Sequence, residues 1–188
     1  MEKFPNDVRI VFSHNPLPFH NRAMAAAQAS QAAHLQGKFW EYHDKLFANQ
    51  QKLEDADLEG YAKEVGLDVD KWKTDKESDK VKQVIQKTMA AAENVNARGT
   101  PNFFINGRNL RGAVPYENFE DLVTEELDKA KKLVAGGTAA ADVYKKTIEK
   151  GKLFEPLEST VHQFTHEGLP YKGAAKGDIV LYEFSDFQ

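Results

Sequence analysis

The residue types that suit chemistry concentrate in two segments, Gly99–Gly107 and Glu183–Gln188. Glu183 follows a run of apolar residues, and a buried carboxyl has a raised pKa that suits it to proton exchange with a neighbouring group. The alternative interpretation of Glu183 is an exposed acid at a sheet edge with no chemical role. Pro101 stands just before the apolar run Phe103–Ile105, and it is either an ordinary loop proline or part of a binding loop. The residues alone leave both alternatives open.

Other kinds of catalytic or metal site find little support. The chain has no cysteine, so it contains no disulfide, no thiolate metal site and no thiol nucleophile. None of the six histidines has the spacing of a helical metal motif. His162 and His166 are four residues apart, but without a third ligand they are interpreted as a solvated pair. Ser185 lacks a triad partner and Asp186 suits a strand-end cap, so we predict neither a metal nor a cofactor.

Composition excludes several classes of partner. The 188 residues carry a formal net charge of −4, which argues against a nucleic-acid binder because such a protein needs a basic face. No apolar run approaches the ~20 residues needed to span a bilayer, so no membrane insertion is expected. The first residues do not have the charge and apolar pattern of a signal peptide.

The elements that must position these residues follow from periodicity and breakers. Val8–Phe12 has the β-branched and aromatic pattern of a buried strand. Asn106 and Gly107, between the predicted strands Phe103–Ile105 and Asn109–Arg111, predict a hairpin with a type I′ turn. Thr138 is placed to cap a further helix that ends at Gly151. Helices are predicted at Asn21–Leu35, Lys38–Gln50, Asp57–Glu64, Leu67–Trp72, Lys76–Val95 and Pro115–Leu133, with Phe39, Trp40 and Tyr42 interpreted as core.

This order of elements predicts an α/β fold with a mixed sheet and a helical block inserted between the first strand and the hairpin. The end of the chain adds one more strand. Ile179–Phe184 is nearly continuous in apolar residues, which suits a central strand covered on both faces. Burial of each large side chain there is worth roughly 1.5–3 kcal/mol, so we expect this strand to be docked in a sheet.

Several motifs together resemble the DsbA-like family of the thioredoxin fold. Gly-Thr-Pro before an aromatic strand, followed by Asn-Gly, is similar to the cis-proline loop of that family. Glu-Phe-Ser-Asp-Phe at 183–187 is similar to the end of the family's first strand. The resemblance covers Val8–Leu133 and Ile179–Gln188. Further matching segments are His14–Leu17, Gly37–Phe47, Gly66–Asp68 and Gly112–Ala113.

The resemblance assigns roles to these residues. In the family the proline is cis and turns the preceding backbone outward, so Thr100 and Pro101 are expected to receive an extended peptide substrate in β-fashion. Glu183 corresponds to the buried acid beneath the family's pair of catalytic cysteines. Gln188 stands where the first cysteine of that pair is expected, and it is therefore included among the substrate-binding residues.

The order of segments departs from the family. Residues 1–135 resemble a DsbA-like domain that lacks its first strand and most of its active-site helix, with the helical insertion at about 37–96. Residues 136–176 are predicted to be a helical linker, and residues 177–188 supply the equivalent of the first core strand. A fragment of a tandem repeat and a circular permutant both explain this order. The last strand would then fill the sheet of its own molecule or that of a neighbour, giving a strand-swapped homo-oligomer.

Two functional hypotheses remain. In the first, the parent protein is a periplasmic or otherwise extracytoplasmic thiol:disulfide oxidoreductase acting on disulfide-containing proteins or peptides. The present chain would be inert in that reaction because it has no sulfur nucleophile. In the second, the domain is a non-catalytic module that binds peptides or assembles partners through Thr100 and Pro101.

Overall fold

The computed structural model describes residues 3–152, which contain seven α-helices and one β-hairpin. The hairpin strands are β1 (Asn102–Ile105) and β2 (Arg108–Arg111). The helices are α1 (Ala23–His34), α2 (Phe39–Ala48), α3 (Asp55–Glu64), α4 (Val69–Glu77), α5 (Asp79–Asn94), α6 (Tyr116–Ala135) and α7 (Val143–Ile148). Within residues 3–152 no helix is both long enough and apolar enough to cross a membrane.

Helices α1 to α5 form a helical body with two apolar clusters, a larger one among α1–α4 and a smaller one between α1 and α5. The alanines of α1 have high helix propensity and small side chains, so Ala29 is fully buried and the neighbouring helices approach closely. Trp72 from α4 is 1% exposed, and its indole N–H donates to the carbonyl of Ala29 at 2.9 Å. Tyr42 from α2 donates its hydroxyl to the carbonyl of Leu58 at 2.9 Å. These two bonds satisfy the polar atoms of the largest core side chains.

Side-chain caps determine where two helices of this body begin. The carboxylate of Asp68 accepts a hydrogen bond from the backbone N–H of Lys71 at 2.9 Å at the start of α4. The hydroxyl of Ser78 accepts from the N–H of Val81 at the start of α5. Such caps satisfy N–H groups that have no partner within the helix. Helices α2–α5 lie within the range of about 37–96 for which a helical insertion is predicted.

The hairpin follows the turn prediction. Asn106 and Gly107 both have positive φ, at 48° and 87°, as a type I′ turn requires. This two-residue turn sets Asn102 opposite Arg111 in the antiparallel register. Helix α6 packs on one face of the hairpin, where the rings of Phe103 and Phe119 meet edge to face.

The prediction of a strand at Val8–Phe12 is wrong for the described structure. No strand is formed there, and the sheet within residues 3–152 has only the two strands of the hairpin. A strand requires a hydrogen-bonded neighbour, and none of the described residues supplies one. Val11 is 75% exposed and Phe12 is 42% exposed. The apolar pattern indicates a segment suited to burial, but it does not show whether a neighbouring strand is present to pair with the segment.

Two smaller predictions also need correction. Of the aromatic residues assigned to the core, Tyr42 is fully buried, whereas Trp40 is 46% exposed and its ring contacts those of Phe39 and His43. Thr138 does not cap a helix; its N–H donates to the carbonyl of Leu133 and closes the end of α6. A 3₁₀ turn at Ala140–Asp142 leads into α7 instead.

Several predictions lie outside the described residues. They concern the linker beyond residue 152, the strand at 177–188 and the roles of Glu183 and Gln188. The mixed sheet predicted from Val8–Phe12 and the hairpin is not formed within residues 3–152, where the sheet is the antiparallel hairpin alone. The described part is an α/β arrangement with most of its residues in helices.

Candidate functional site

The loop that carries Thr100 and Pro101 begins where α5 ends, and its first turn is anchored to the N-terminal segment. Asn96 has a positive φ of 56°, which turns the chain out of the helix. The next residue, Ala97, is 7% exposed, and its carbonyl accepts a hydrogen bond from the side chain of Asn15 at 2.9 Å. The base of the loop is therefore fixed by a contact 82 residues away in sequence.

The other end of the loop is held by the hairpin. The N–H of Gly112, just after β2, donates to the carbonyl of Pro101 at 3.0 Å. The peptide bond between Thr100 and Pro101 is cis. Both residues are exposed. Within residues 3–152, neither the N–H nor the C=O of Thr100 takes part in a hydrogen bond. Thr100 thus presents an exposed backbone donor and acceptor between two fixed ends.

A cavity of about 440 Å³ opens beside this loop. It is lined by Asn96, Arg98, Gly99, Thr100, Pro101, Asn102, Arg111 and Gly112. Among the described residues that line it, none is a histidine or carries a carboxylate, so no general base stands beside the hydroxyl of Thr100. The lining has instead amides, open backbone and two guanidinium groups, which are groups that bind and orient a ligand. The cavity therefore suits recognition.

One lining arginine is oriented by a short polar chain on the hairpin. Arg111 donates from Nε to the side-chain oxygen of Asn109 at 2.9 Å. The amide of Asn109 in turn donates to the side-chain oxygen of Asn102 and to the carbonyl of Phe103. Because both strands contribute to this chain, the guanidinium is held in a defined position beside the cavity.

The opposite face of the hairpin is tied to α6 by ion pairs. Glu126 is 3% exposed, and its Oε1 accepts from Arg108 at 3.0 Å and from Lys129 at 2.9 Å. Burial alone would raise the pKa of Glu126, but the hydrogen bonds from Lys129 and Arg108 outweigh it and lower that pKa. Hydrogen bonds from Arg108 and then Lys129 lower the pKa of exposed Glu125 to about 2. This cluster fixes the hairpin on which Arg111 stands.

The histidines nearest the N-terminal segment form an aromatic cluster. His14 is 5% exposed, and its Nε2 lies 3.0 Å from the side-chain oxygen of Gln31. The rings of Phe12 and Phe39 pack edge to face against it. Burial lowers the pKa of His14, the bond to Gln31 opposes that change, and the charge of His34 adds to it. Among residues 3–152 no three acidic or histidine side chains are grouped to hold a metal.

The structure brings two of the four predicted site residues together. Thr100 and Pro101 lie side by side at the cavity, whereas Glu183 and Gln188 lie outside the described residues. Sequence reasoning missed Asn15 and Arg111. The signal for Arg111 was available, because a two-residue turn at Asn106–Gly107 fixes which residue faces Asn102. No comparable signal in the sequence links Asn15 to Ala97.

The chain is similar to a part of several curated proteins that are named as Na⁺/H⁺ antiporters. It is 43% identical over 110 residues to a "Na(+)/H(+) antiporter NhaA" of Herminiimonas arsenicoxydans, covering 58% of this chain and 17% of that protein. It is 39% identical over 119 residues to "NhaA 1" of Salinispora arenicola, covering 63% and 18%. It is 37% identical over 131 residues to "NhaA 3" of Salinispora tropica, covering 69% and 20%. The chain thus spans no more than a fifth of each of these relatives.

No solved structure matches the chain significantly. The model of the DSBA-like thioredoxin domain matches residues 5–124, which include the helical body, the Thr100–Pro101 loop, the hairpin and the first half of α6. This match covers well over half of the chain. The chain belongs to the family of DSBA-like thioredoxin domains.

Proposed function

We propose that this chain binds an extended stretch of polypeptide along Thr100 and Pro101 and carries out no thiol–disulfide exchange of its own. The observation that carries the proposal is the open backbone of Thr100. Thr100 is an exposed residue that lines a 440 Å³ cavity, and its N–H and C=O are without hydrogen-bond partners among residues 3–152. An extended peptide satisfies such groups by adding main-chain hydrogen bonds.

The fixed ends of the loop support a binding role. Asn15 holds the loop at Ala97 and Gly112 holds it at Pro101, so the backbone between them does not have to be ordered when a peptide arrives. A preorganised site loses less conformational entropy on binding. The lack of any cysteine in the sequence supports the second half of the proposal, since exchange requires a thiolate.

A titration followed by NMR tests the binding half. The probes are a blocked five-residue peptide of alternating valine and threonine, and the same peptide N-methylated at alternate amides. We expect the amide resonances of Gly99, Thr100 and Asn102 to shift with the first peptide. Each lost main-chain hydrogen bond is worth about 1 kcal/mol, so methylation on the pairing edge should weaken binding about fivefold or more.

The matched protein variant is Thr100→Val, which removes the hydroxyl and keeps the backbone groups. Its affinity for the unmethylated peptide should equal that of the native chain. Loss of binding in this variant, or equal binding of the two peptides, contradicts recognition through the backbone. For the second half of the proposal, the reduction of insulin by dithiothreitol should proceed no faster with the chain than without it.

A second candidate rests on the family match. DsbA-like domains with a cysteine pair exchange disulfides outside the cytoplasm, and the chain would then be the substrate-binding part of an extracytoplasmic oxidoreductase whose cysteines lie elsewhere. The names of the relatives favour another setting, a DsbA-like domain that works beside a Na⁺/H⁺ antiporter. The full reading frame decides: a Cys-x-x-Cys pair adjoining this segment supports the first setting, and a transporter region supports the second.

A further inference from the structure

We propose that the Thr100–Pro101 site prefers a peptide that carries a carboxylate, and that Arg111 binds this carboxylate. The inference rests on the proposed peptide-binding function and adds the class of ligand. Arg111 lines the same cavity as Thr100 and Pro101, and it faces Asn102 across the hairpin. A peptide paired with Thr100 therefore passes within reach of this guanidinium.

The charge of Arg111 has no acidic partner in the described structure. Its Nε donates to the neutral side-chain oxygen of Asn109, and no carboxylate among residues 3–152 lies within ion-pair distance of it. Arg108, at the other end of the same strand, is the contrasting case. Its guanidinium is 2.7 Å from Glu125 and 3.0 Å from Glu126. The hairpin thus has one arginine paired with two carboxylates of α6, and the other lies at the cavity.

The bond to Asn109 leaves Arg111 suited to a carboxylate. Nε is used by Asn109, so the two terminal nitrogens remain to form a pair of parallel hydrogen bonds with one carboxylate. Asn109 is itself held by Asn102 and by the carbonyl of Phe103, so the guanidinium is already oriented before a ligand arrives. Asn109 is in this respect a positioning residue.

The surroundings strengthen the preference. None of the eight described residues that line the cavity is acidic, and one of them is Arg111. The chain as a whole is acidic, with a net charge of −4, so this cavity is a local exception. A focused positive potential favours anionic ligands over neutral ones and weakens as salt is added.

Three blocked peptides of equal length test the proposal by titration calorimetry with the full chain. The first has a central glutamate and an amidated end, the second has glutamine there, and the third has glutamine and a free carboxyl end. We expect the glutamate peptide to bind about three- to tenfold more tightly than the glutamine peptide. The third peptide tells an acidic side chain from a terminal carboxylate, and tighter binding of either carboxylate peptide supports the proposal.

Arg111→Gln should abolish this difference, so that the glutamate and glutamine peptides bind this variant with equal affinity. Arg9→Gln, which removes the same charge from an exposed position outside the cavity, should preserve the difference. Arg111→Lys should retain only part of it, because an ammonium group cannot make the paired contact.

The outcomes separate this inference from the proposed function. Equal binding of all three peptides at Thr100 overturns the carboxylate preference and leaves peptide binding standing. Binding of no peptide overturns both. A preference for carboxylate that survives in Arg111→Gln shows that the guanidinium of Arg111 is not the group responsible, and it overturns the assignment.

Discussion

The helical body and the hairpin–α6 region are stabilised in different ways. In the body, Trp72, Tyr42 and Leu58 are each no more than 1% exposed and pack in one apolar core. From residue 98 to residue 152 the only buried residue is a charged one, Glu126, which is 3% exposed. The aromatic residues of β1 are 38–42% exposed. One region is therefore held by apolar burial, and the other by a turn, ion pairs and a single edge-to-face ring contact.

The difference explains where the candidate site lies. The Thr100–Pro101 loop connects the two regions, with one end attached to the core through Ala97 and the other to the hairpin through Gly112. A site for peptide recognition needs open backbone on a rigid support. The body supplies the support, and the lightly buried hairpin supplies the open edge. The cavity is formed where the two meet.

The largest expected effect is on the core of the helical body. Trp72→Ala removes a fully buried ring and its bond to Ala29, and we expect it to lower the free energy of unfolding by about 3–5 kcal/mol. The matched change in the hairpin is Phe104→Ala, where a ring that is 42% exposed is removed. Its loss should be less than about 1.5 kcal/mol because little area returns to water. Urea denaturation measures both, and equal losses would show that the face of Phe104 is buried in solution.

The next effect concerns the ion pairs of the hairpin–α6 region. Glu126→Gln leaves Arg108 and Lys129 without their buried partner, and we expect a loss of about 1–3 kcal/mol in the free energy of unfolding. Glu125→Gln removes the contacts of an exposed carboxylate with the same two residues, Arg108 and Lys129. Its loss in the free energy of unfolding should be smaller. If the two variants are equally stable, the burial of Glu126 does not contribute and the contrast between the regions weakens.

The pH dependence of stability gives the same pair of residues a second measurement. Both glutamates have lowered pKa values in the folded chain, so they stabilise it above their ordinary pKa and lose this contribution as the pH falls through the folded value. For Glu125 that window runs from 4.5 down to about 2. As the pH falls below 4.5, stability should decline less steeply in Glu126→Gln than in the native chain, and urea denaturation at several pH values measures the slope.

The sequence predicted local structure well where local chemistry decides it. Alanine content indicated α1, and Asn106–Gly107 specified both the turn and the register that places Arg111 opposite Asn102. These features depend on residues close together in the chain. The family motif also located the Thr100–Pro101 loop, although the residues alone left open whether Pro101 is an ordinary loop proline or part of a binding loop.

Contacts between distant residues were not predictable in this way. Nothing in the pattern of Val8–Phe12 reveals whether another strand lies beside it, because pairing depends on the whole sheet. The bond from Asn15 to Ala97 and the burial of Glu126 are likewise products of tertiary packing. The same holds for Trp40, whose amphipathic position fits either the core or the outer face of α2 until the neighbouring helices are placed.

The smallest expected effect is the pH dependence of stability that arises from His14, where the N-terminal segment packs on the helical body. His14 is enclosed by Phe12, Phe39 and Gln31, with His34 and His43 in the same cluster and Asp44 bonded to His43.

Because burial lowers the pKa of His14 below 6.5, the unfolded chain takes up a proton before the folded chain does. Stability should therefore fall as the pH drops below 6.5, and chemical denaturation at about pH 7 and pH 5 measures the change. His14→Gln should reduce this slope, and His20→Gln, at an exposed position, should leave it unchanged. An equal slope in all three proteins would mean that the N-terminal segment does not bury His14 in solution, and that the packed region ends at α1.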